Sequence, residues 1–200
     1  MFFTLPLSAA TISAIGGSTW SNTPPALGPS WDGNPPGTAV DILSGQVDEY
    51  LLSGGVPGMF SFSAGTYNVT LLTEVAGYAG SNQLGWAPLS NLATFNPIFD
   101  GPDSPIMKQT IAPLEGWAFV INTGGGDVFS SSSIDRFLAM RSAGSTNGWS
   151  VGVEDLRSPT DYDFNDQIIS VEAVPEPTTS LLMGTALIGL ALLRKRYTKR

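Results

Sequence analysis

The sequence predicts a mainly β protein: an antiparallel β-sandwich of jelly-roll-like form, followed by a short C-terminal transmembrane helix. Three observations support this prediction. Short runs with strand character recur along the chain and are separated by turns, and the chain contains 23 Gly and 15 Pro. Before the C-terminal region, no amphipathic stretch is longer than about two helical turns. The last apolar run is continuous and ends in clustered positive charge.

The first residues have the character of a secretory leader. Residues 1–10 are mostly apolar, and Ser8 and Ala10 are small residues of the kind that precede a cleavage site. They lack the positive charge expected at the start of a leader. We therefore predict that residues 1–15 are an atypical or incomplete signal peptide. Residues 16–38 are rich in Pro and Gly, which predicts an irregular segment before the folded domain.

Residues 39–174 form the predicted sandwich domain. Phe60 and Phe62 alternate with small polar residues, and residues 67–73 are rich in β-branched and aromatic side chains. Both patterns favour strands. The candidate strands are 39–43, 47–52, 59–63, 67–73, 117–122, 136–141, 149–153 and 167–174. Runs this short fit a sandwich or a barrel.

Composition and charge exclude several functions. The chain has no Cys and no His, which excludes disulfides, thiolate metal sites, the usual zinc sites and Ser-His-Asp or Cys-His catalysis. It carries 17 Asp and Glu against 9 Lys and Arg, a net charge of −8, and most basic residues lie beyond residue 193. The acidic body should repel nucleic acid and attract divalent cations.

An acidic segment between the last two predicted strands is the candidate metal site. If those strands pair as a hairpin, the acidic groups before and after the turn meet at one end of a sheet. Unit charges 4 Å apart repel by about 1 kcal/mol in water and by more when partly buried. A calcium ion would relieve that repulsion, because it binds about six to eight oxygen ligands. The candidate ligands are Glu154, Asp155, Asp161, Asp163, Asn165 and Asp166.

Two alternatives to a metal remain open for this segment. Asx-turns and Arg157 could brace a metal-free corner, or a pair of carboxylates could act in catalysis. An EF-hand that starts at Asp161 and ends at Glu172 is excluded. Asp166 stands where that loop needs Gly, and the residues after it have strand character, which would carry Glu172 away.

The C-terminal end has three parts. An extended stem comes first, because Pro175 and Pro177 cannot sit inside a helix. The apolar run 178–193 follows, and as a helix it would cover roughly 24 Å, short of the hydrocarbon core of about 30 Å. Basic residues then form a membrane stop, and their side chains can snorkel to the interface. These stop residues are Arg194, Lys195 and Arg196, within the basic end 194–200.

The sequence Val-Pro-Glu-Pro, the short apolar helix and the Arg-rich end together resemble the PEP-CTERM sorting signal of exopolysaccharide-producing Gram-negative bacteria. The resemblance covers residues 174–200. It implies that the tail first holds the protein in the inner membrane. It also implies cleavage by an exosortase-like machinery near Pro175, Glu176 and Pro177, followed by delivery to the cell surface or extracellular matrix. Residues 175–200 then act as a sorting signal and are not part of the folded domain.

The acidic segment carries a second resemblance. Residues 151–156 read Val-Gly-Val-Glu-Asp-Leu and residues 161–166 read Asp-Tyr-Asp-Phe-Asn-Asp. They resemble the C-terminal signature of DUF4114-type domains, and the likeness extends over residues 110–174. Such domains are β-rich and occur in secreted and surface proteins of bacteria. The resemblance therefore implies a location and an ion site, not a reaction.

Together these features predict an exported, non-enzymatic protein of the cell surface or extracellular matrix, braced by a divalent cation. A carbohydrate-binding module for the matrix exopolysaccharide is the alternative. It would need exposed aromatic faces, for which Trp20, Trp31 and Trp86 are candidates because they lie in turn-rich segments. A glycoside-cleaving enzyme with two carboxylates is a further alternative.

Overall fold

The computed structural model describes residues 10–28, 37–75, 80–101, 106–133, 135–155, 162–175 and 194. One compact unit spans Ala10–Val174. Within the described ranges it contains fourteen strands and a short helix α1 (Ala39–Ile42). The strands are β1 (Ile12–Ala14), β2 (Thr19–Ser21), β3 (Glu49–Ser53), β4 (Val56–Pro57), β5 (Phe60–Phe62), β6 (Tyr67–Glu74), β7 (Gln83–Pro88), β8 (Asn96–Asp100), β9 (Lys108–Ile111), β10 (Trp117–Asn122), β11 (Val128–Ser130), β12 (Phe137–Arg141), β13 (Gly148–Val153) and β14 (Gln167–Ala173).

The strands form two antiparallel sheets, so the expectation of a mainly β, antiparallel protein is confirmed. The six-stranded sheet has the order β1-β5-β10-β7-β8, with β11 beside β10. The eight-stranded sheet has the order β2-β3-β12-β13-β14-β6-β9, with β4 beside β3. β13 and β14, the two strands on either side of the acidic segment, pair antiparallel as expected.

The main core lies between the inward faces of the two sheets. Phe62 and Trp117 of the six-stranded sheet stack with their ring centroids 4.5 Å apart. Val151 and Ile169 of the eight-stranded sheet belong to the same buried cluster. Phe60 and Phe62 of β5 both belong to this cluster, which explains why the alternating run 59–63 forms a strand.

A second, smaller cluster packs α1 against the eight-stranded sheet. Ala39 and Leu43 contact a group of buried side chains from that sheet and from the acidic segment, which includes Leu138, Phe164 and Ile168. The expectation of a strand over residues 39–43 is wrong. The helix begins there because Thr38 and Asp41 form a capping box, in which each side chain accepts a hydrogen bond from the other residue's backbone N–H.

Most other expected strands are confirmed within one or two residues, but several observed strands were not expected. β7 contains Gly85, and a Cβ there would lie 2.5 Å from the backbone oxygen of Asn96 on β8. β8 contains Pro97, and β9 is an edge strand with three exposed residues. β8 and β9 lack the apolar alternation that marks a half-buried strand, and Gly85 weakens the strand signal of β7.

The sheets also begin before residue 39, the expected start of the domain. β1 lies within residues 1–15, which were expected to form a leader, and β2 lies within residues 16–38, which were expected to be irregular. The side chain of Arg141 holds β2 against the sheet. Its guanidinium lies 4.1 Å from the ring centroid of Trp20 and donates a 2.6 Å hydrogen bond to Glu49.

The sandwich has two distinct ends. β13 and β14 run in opposite directions, with Gly152 opposite Ile168 and Gly148 opposite Glu172. The acidic segment therefore joins them at one end, which we call the acidic end. The chain leaves β14 at the other end, which we call the tail end. Among the described residues, no helix is long and apolar enough to cross a membrane. The expected transmembrane helix 178–193 lies outside the described residues.

Candidate metal centre

Asp155 and Asp166 approach each other where β13 and β14 meet the acidic segment. The backbone N–H of Asp155 donates a 2.7 Å hydrogen bond to Oδ2 of Asp166. Next to this contact, Val153 and Asn165 form an isolated parallel bridge. The chain thus turns back beside its own strand end, and the two acidic groups that are separate in sequence come together.

Glu154, Asp155 and Asp166 form a three-carboxylate cluster. Each offers a carboxylate oxygen, and these oxygens all lie within 4.8 Å of one another. Glu154 is 0% and Asp155 is 2% exposed, and Asp166 is half-buried. Three carboxylate oxygens at this spacing could hold a metal ion, because hard divalent cations bind such oxygens. Burial makes their mutual repulsion stronger than it would be at the surface.

The repulsion contributes to a raised pKa of Asp166. The pKa of Asp166 is raised from 3.8 to about 9, first by burial and then by the neighbouring charges of Asp155, Glu154 and Asp163. The hydrogen bond from the Asp155 backbone acts in the opposite direction and lowers the pKa. Without a cation, Asp166 therefore keeps its proton at neutral pH.

A close backbone approach fixes the loop that carries Asp163 and Asn165. A Cβ on Gly152 would lie 2.6 Å from the carbonyl oxygen of Phe164, so β13 needs glycine at this position. Phe164 itself has a φ of 57°, and Tyr162 has a φ of 54°. Left-handed backbone is unfavourable for bulky side chains, so the surrounding contacts must hold this loop.

Helix α1 and the residues before it supply part of that support. The backbone N–H of Ala39 donates a 2.8 Å hydrogen bond to the carbonyl oxygen of Asp163. Nδ2 of Asn165 donates a 2.8 Å bond to the carbonyl oxygen of Gly37. The backbone N–H of Asn165 donates to Oδ1 of Asp163 at 3.1 Å. The Asp163 and Asn165 side chains therefore help to shape the loop, whatever their role toward an ion.

Asn82 reaches the cluster from a distant part of the chain and was missed by the sequence reasoning. It is fully buried, and its Nδ2 donates a 2.8 Å hydrogen bond to Oδ2 of Asp155. Its Oδ1 accepts a 3.0 Å bond from the backbone N–H of Gly124. Asn82 precedes β7 in a Gly-Ser-Asn turn, and its local sequence gives no signal of a partner 73 residues away.

Arg136 contacts the acidic segment through its backbone and its side chain. It is buried, and its carbonyl oxygen accepts a 2.9 Å hydrogen bond from the backbone N–H of Glu154. Its guanidinium carbon lies 5.0 Å from the ring centroid of Tyr162, and its Nη1 forms an ion pair with Oδ1 of Asp135 at 3.3 Å. A buried cation near the acidic segment is the arrangement that the metal-free corner requires, and Arg157, which was expected to brace it, lies outside the described residues.

The other predicted ligands are Asp161, Asp163 and Asn165, and Glu172 was considered only as the end of the excluded EF-hand. Asp163 is buried and adds to the charge that Asp166 faces. Asp161 lies outside the described residues. Glu172 is exposed and pairs with Asn68 toward the tail end, away from the cluster. This position agrees with the exclusion of an EF-hand, because the strand does carry Glu172 away.

The two aromatic candidates for sugar binding that the structure describes do not form a common surface. Trp20 and Trp86 are both half-buried, but Trp20 lies on β2 of the eight-stranded sheet and Trp86 on β7 of the other sheet. Arg141 already covers one face of Trp20. Trp31 lies outside the described residues. Two of the five tryptophans, Trp117 and Trp149, belong to the core.

At the C-terminal end, residues 173–196 match a family profile described as the PEP-CTERM protein-sorting motif. No curated protein matches the chain. Pro175 and Arg194 are exposed, whereas Glu176, Pro177, Lys195 and Arg196 lie outside the described residues. Motifs of this type are recognised by exosortase-type sorting machinery, which implies export and membrane passage. The chain therefore carries a PEP-CTERM sorting motif at its C-terminal end.

Proposed function

We propose that this is a non-enzymatic protein of the cell surface or extracellular matrix. Its tail lodges transiently in the inner membrane, and an exosortase-like protease releases the sandwich near Pro175, Glu176 and Pro177. A calcium ion held by the three-carboxylate cluster braces the acidic end. The match of residues 173–196 to the sorting motif is the observation that supports the delivery route.

The proposal extends to the type of domain. Successive strands often change sheets, as β5 to β6 and β6 to β7 do, which supports a jelly-roll-like sandwich. The resemblance of residues 110–174 to DUF4114-type domains is part of the same proposal. The β-rich fold and the closeness of Glu154 and Asp166 are what that resemblance leads us to expect.

Calcium suits the cluster better than magnesium does. Magnesium gives up its water molecules reluctantly and keeps several of them in protein sites. Glu154 and Asp155 are buried, and together with Asp166 they offer several carboxylate oxygens in a small volume. Calcium accepts mono- or bidentate carboxylates in irregular geometry and loses water more readily. Bound calcium would replace the proton on Asp166 and neutralise the negative charge of the neighbouring carboxylates.

The same geometry supports a structural role over a catalytic one. A glycoside-cleaving enzyme needs two carboxyl groups about 5–5.5 Å or 6.5–9.5 Å apart across a cleft that the sugar enters. In this protein the cluster oxygens lie within 4.8 Å of one another, and Glu154 and Asp155 are buried. A sugar ring therefore has no access to both groups from one face.

A carbohydrate-binding module has less support. Trp20 and Trp86 are half-exposed but belong to different sheets, so they do not build one stacking platform. A glycan array with the exopolysaccharide of an exosortase-bearing host would test it. Binding that is lost in Trp86→Ala but kept in Trp20→Ala would establish a sugar site on the six-stranded sheet in place of our proposal.

The delivery route is testable in an exosortase-bearing host. Residues 175–177 are replaced by three alanines, with the apolar run and basic end unchanged. We expect the parent chain to yield a shortened form outside the inner membrane and the variant to accumulate there at full length. Replacement of residues 198–200 by alanines, which leaves Arg194, Lys195 and Arg196 in place, is the control. Equal processing of the parent and the 175–177 variant would contradict the proposal.

The ion is testable by thermal unfolding of the full chain in detergent. A ligand that binds only the folded state raises its stability by about 2.7 kcal/mol at 100 times the dissociation constant. We expect millimolar calcium to raise the melting temperature of the parent, and EDTA to reverse the rise. Asp166→Asn should lose most of it, whereas Glu172→Gln, a change of an exposed acid on β14, should keep it. No rise in the parent would reject the ion.

A further inference from the structure

Three leucines at the tail end expose most or part of their side chains to solvent. Leu114 is 97% exposed, Leu89 is 42% exposed and Leu92 is 37% exposed. Leu89 and Leu92 lie between β7 and β8, and Leu114 lies between β9 and β10. We call these three side chains the leucine patch. A single exposed leucine needs no explanation, but several on adjoining loops mark an interaction surface.

Hydrogen bonds hold the two loops of the leucine patch together. The backbone N–H of Leu89 donates a 2.8 Å bond to the carbonyl oxygen of Gly116. The hydroxyl of Ser90 donates a 2.7 Å bond to Oε1 of Glu115. The leucines are thus presented on a braced surface. Glu115 is the single charged residue in the three loops 63–66, 89–95 and 112–116, so this surface lacks the acidic character of the rest of the body.

The leucine patch adjoins the point where the chain leaves the sandwich. The carbonyl oxygen of Pro113, next to Leu114, accepts a 3.1 Å bond from the backbone N–H of Gly65. The next residue, Thr66, accepts a 2.9 Å bond at its carbonyl oxygen from the backbone N–H of Val174. Loop 63–66 therefore connects the patch to the start of the tail.

The N-terminal segment enters at the same place. The backbone N–H of Ser63 donates a 2.9 Å bond to the carbonyl oxygen of Thr11, and the backbone N–H of Thr11 donates a 2.9 Å bond to the hydroxyl of Ser63. The mostly apolar residues 1–10 and the apolar run 178–193 are therefore both attached to the tail end. Both ends of the sandwich chain emerge beside the leucine patch.

The length of the stem limits the distance between the tail end and a bilayer that holds the tail. Only Pro175, Glu176 and Pro177 separate Val174 from the apolar run. Fully extended residues span at most about 3.3–3.6 Å each, so this stem reaches roughly 10 Å. A tail lodged in a bilayer would hold the tail end within that distance of the lipid. At so short a distance the effective concentration of the lipid surface is high, and even a small apolar patch can bind it.

We propose that the leucine patch docks on the lipid bilayer that holds the tail, before the tail is cut. This inference rests on the membrane-lodged tail of the proposed function. The patch inserts its apolar side chains at the bilayer interface, and the acidic end, at the opposite end of β13 and β14, points away from the anionic lipid surface. Docking keeps the leucine patch at the lipid surface until cleavage releases the sandwich.

The test uses single cysteines, because the chain has none of its own. Leu114→Cys and, as the matched control, Val128→Cys are labelled with an environment-sensitive fluorophore. Val128 is 59% exposed and opens β11, opposite Asn122 at the acidic end of β10. The full chain is reconstituted in vesicles of phosphatidylethanolamine and phosphatidylglycerol that carry a lipid quencher. Flotation of the vesicles reports separately whether the tail is inserted.

We expect the label at residue 114 to shift to the blue and to be quenched severalfold more than the label at residue 128. Flotation of the protein with equal, weak quenching at both positions would overturn the docking while leaving the lodged tail intact. Failure of the protein to float with the vesicles would instead contradict both the membrane-lodged tail and the docking of the leucine patch. A blue shift at residue 114 that grows with protein concentration in detergent alone would assign the patch to a second copy of the chain, and would also overturn the proposal.

Discussion

The backbone N–H of Asp155 donates a 2.7 Å hydrogen bond to the side chain of Asp166, and this contact closes the acidic end of the sandwich. It joins two acidic residues on opposite sides of a turn, whose like charges would otherwise push them apart. The bond offsets part of the repulsion, but the pKa of Asp166 remains raised to about 9 because burial and neighbouring carboxylates outweigh it.

The metal-free protein should lose stability as the pH rises. The pKa of Asp166 is 3.8 in a model peptide and about 9 in the folded protein. Between these pH values the folded state keeps a proton that the unfolded state has released, so the free energy of unfolding falls with rising pH. Denaturant unfolding in EDTA at pH 5 to 8 measures this fall. Asp166→Asn cannot ionise and should show a smaller fall, whereas Glu172→Gln should match the parent. An equal fall in the unfolding free energy of Asp166→Asn and of the parent would contradict the assignment of the raised pKa to Asp166.

Calcium binding should release a proton. At pH 7 Asp166 is protonated in the metal-free protein, and the ion binds its carboxylate form. Titration calorimetry of the full chain in two buffers with different ionisation enthalpies measures the number of protons released. We expect roughly one proton at pH 7 for the parent and fewer for Asp166→Asn. The affinity of the parent should also rise with pH, and an affinity that is the same at pH 6 and pH 8 would show that Asp166 is not a ligand.

Gly152→Ala should damage the acidic end. Its Cβ would lie 2.6 Å from the carbonyl oxygen of Phe164 and 3.0 Å from Cβ of Ala39, so the loop must move. Overpacking of this kind costs about 1–3 kcal/mol of unfolding free energy. Gly148→Ala on the same strand is the control, because the nearest atom to its Cβ is 3.7 Å away. Equal stabilities of the two variants, measured by denaturant unfolding, would show that the close approach does not matter.

Asn82→Ala should destabilise the protein and weaken the ion site together. It removes the buried donor to Asp155 and leaves a buried carboxylate with one bond fewer, which costs about 1–3 kcal/mol. Asn68→Ala loses an exposed bond from Thr110 and should cost about 0.5 kcal/mol or less. Thermal unfolding with and without calcium measures both effects. A calcium response of Asn82→Ala as large as that of the parent would show that Asn82 supports the fold but not the site.

The sequence predicted the parts of this structure that depend on neighbours along the chain. The hairpin of β13 and β14 follows from two alternating runs on either side of a turn, and the meeting of Glu154 with Asp166 follows from the hairpin. The alternation along β14 agrees with the burial of Ile169 and Val171 in the main core.

What the sequence could not predict depends on distant contacts. The capping box of Thr38 and Asp41 is a local signal that was overlooked, but the helix it starts is only one turn long and packs on Phe164. Asn82 has no local pattern that links it to Asp155. The edge strand β9 has few apolar residues, so its own sequence does not mark it as a strand. Its pairing with β6 defines it instead.

Crystals grown in calcium test the central claim most directly. Diffraction data collected where calcium scatters anomalously locate the ion without reference to any structure. The account predicts one anomalous peak within about 2.3–2.6 Å of carboxylate oxygens of Glu154, Asp155 and Asp166, and no such peak in crystals of Asp166→Asn. A parent crystal in millimolar calcium with these three side chains ordered and no peak between them would contradict it.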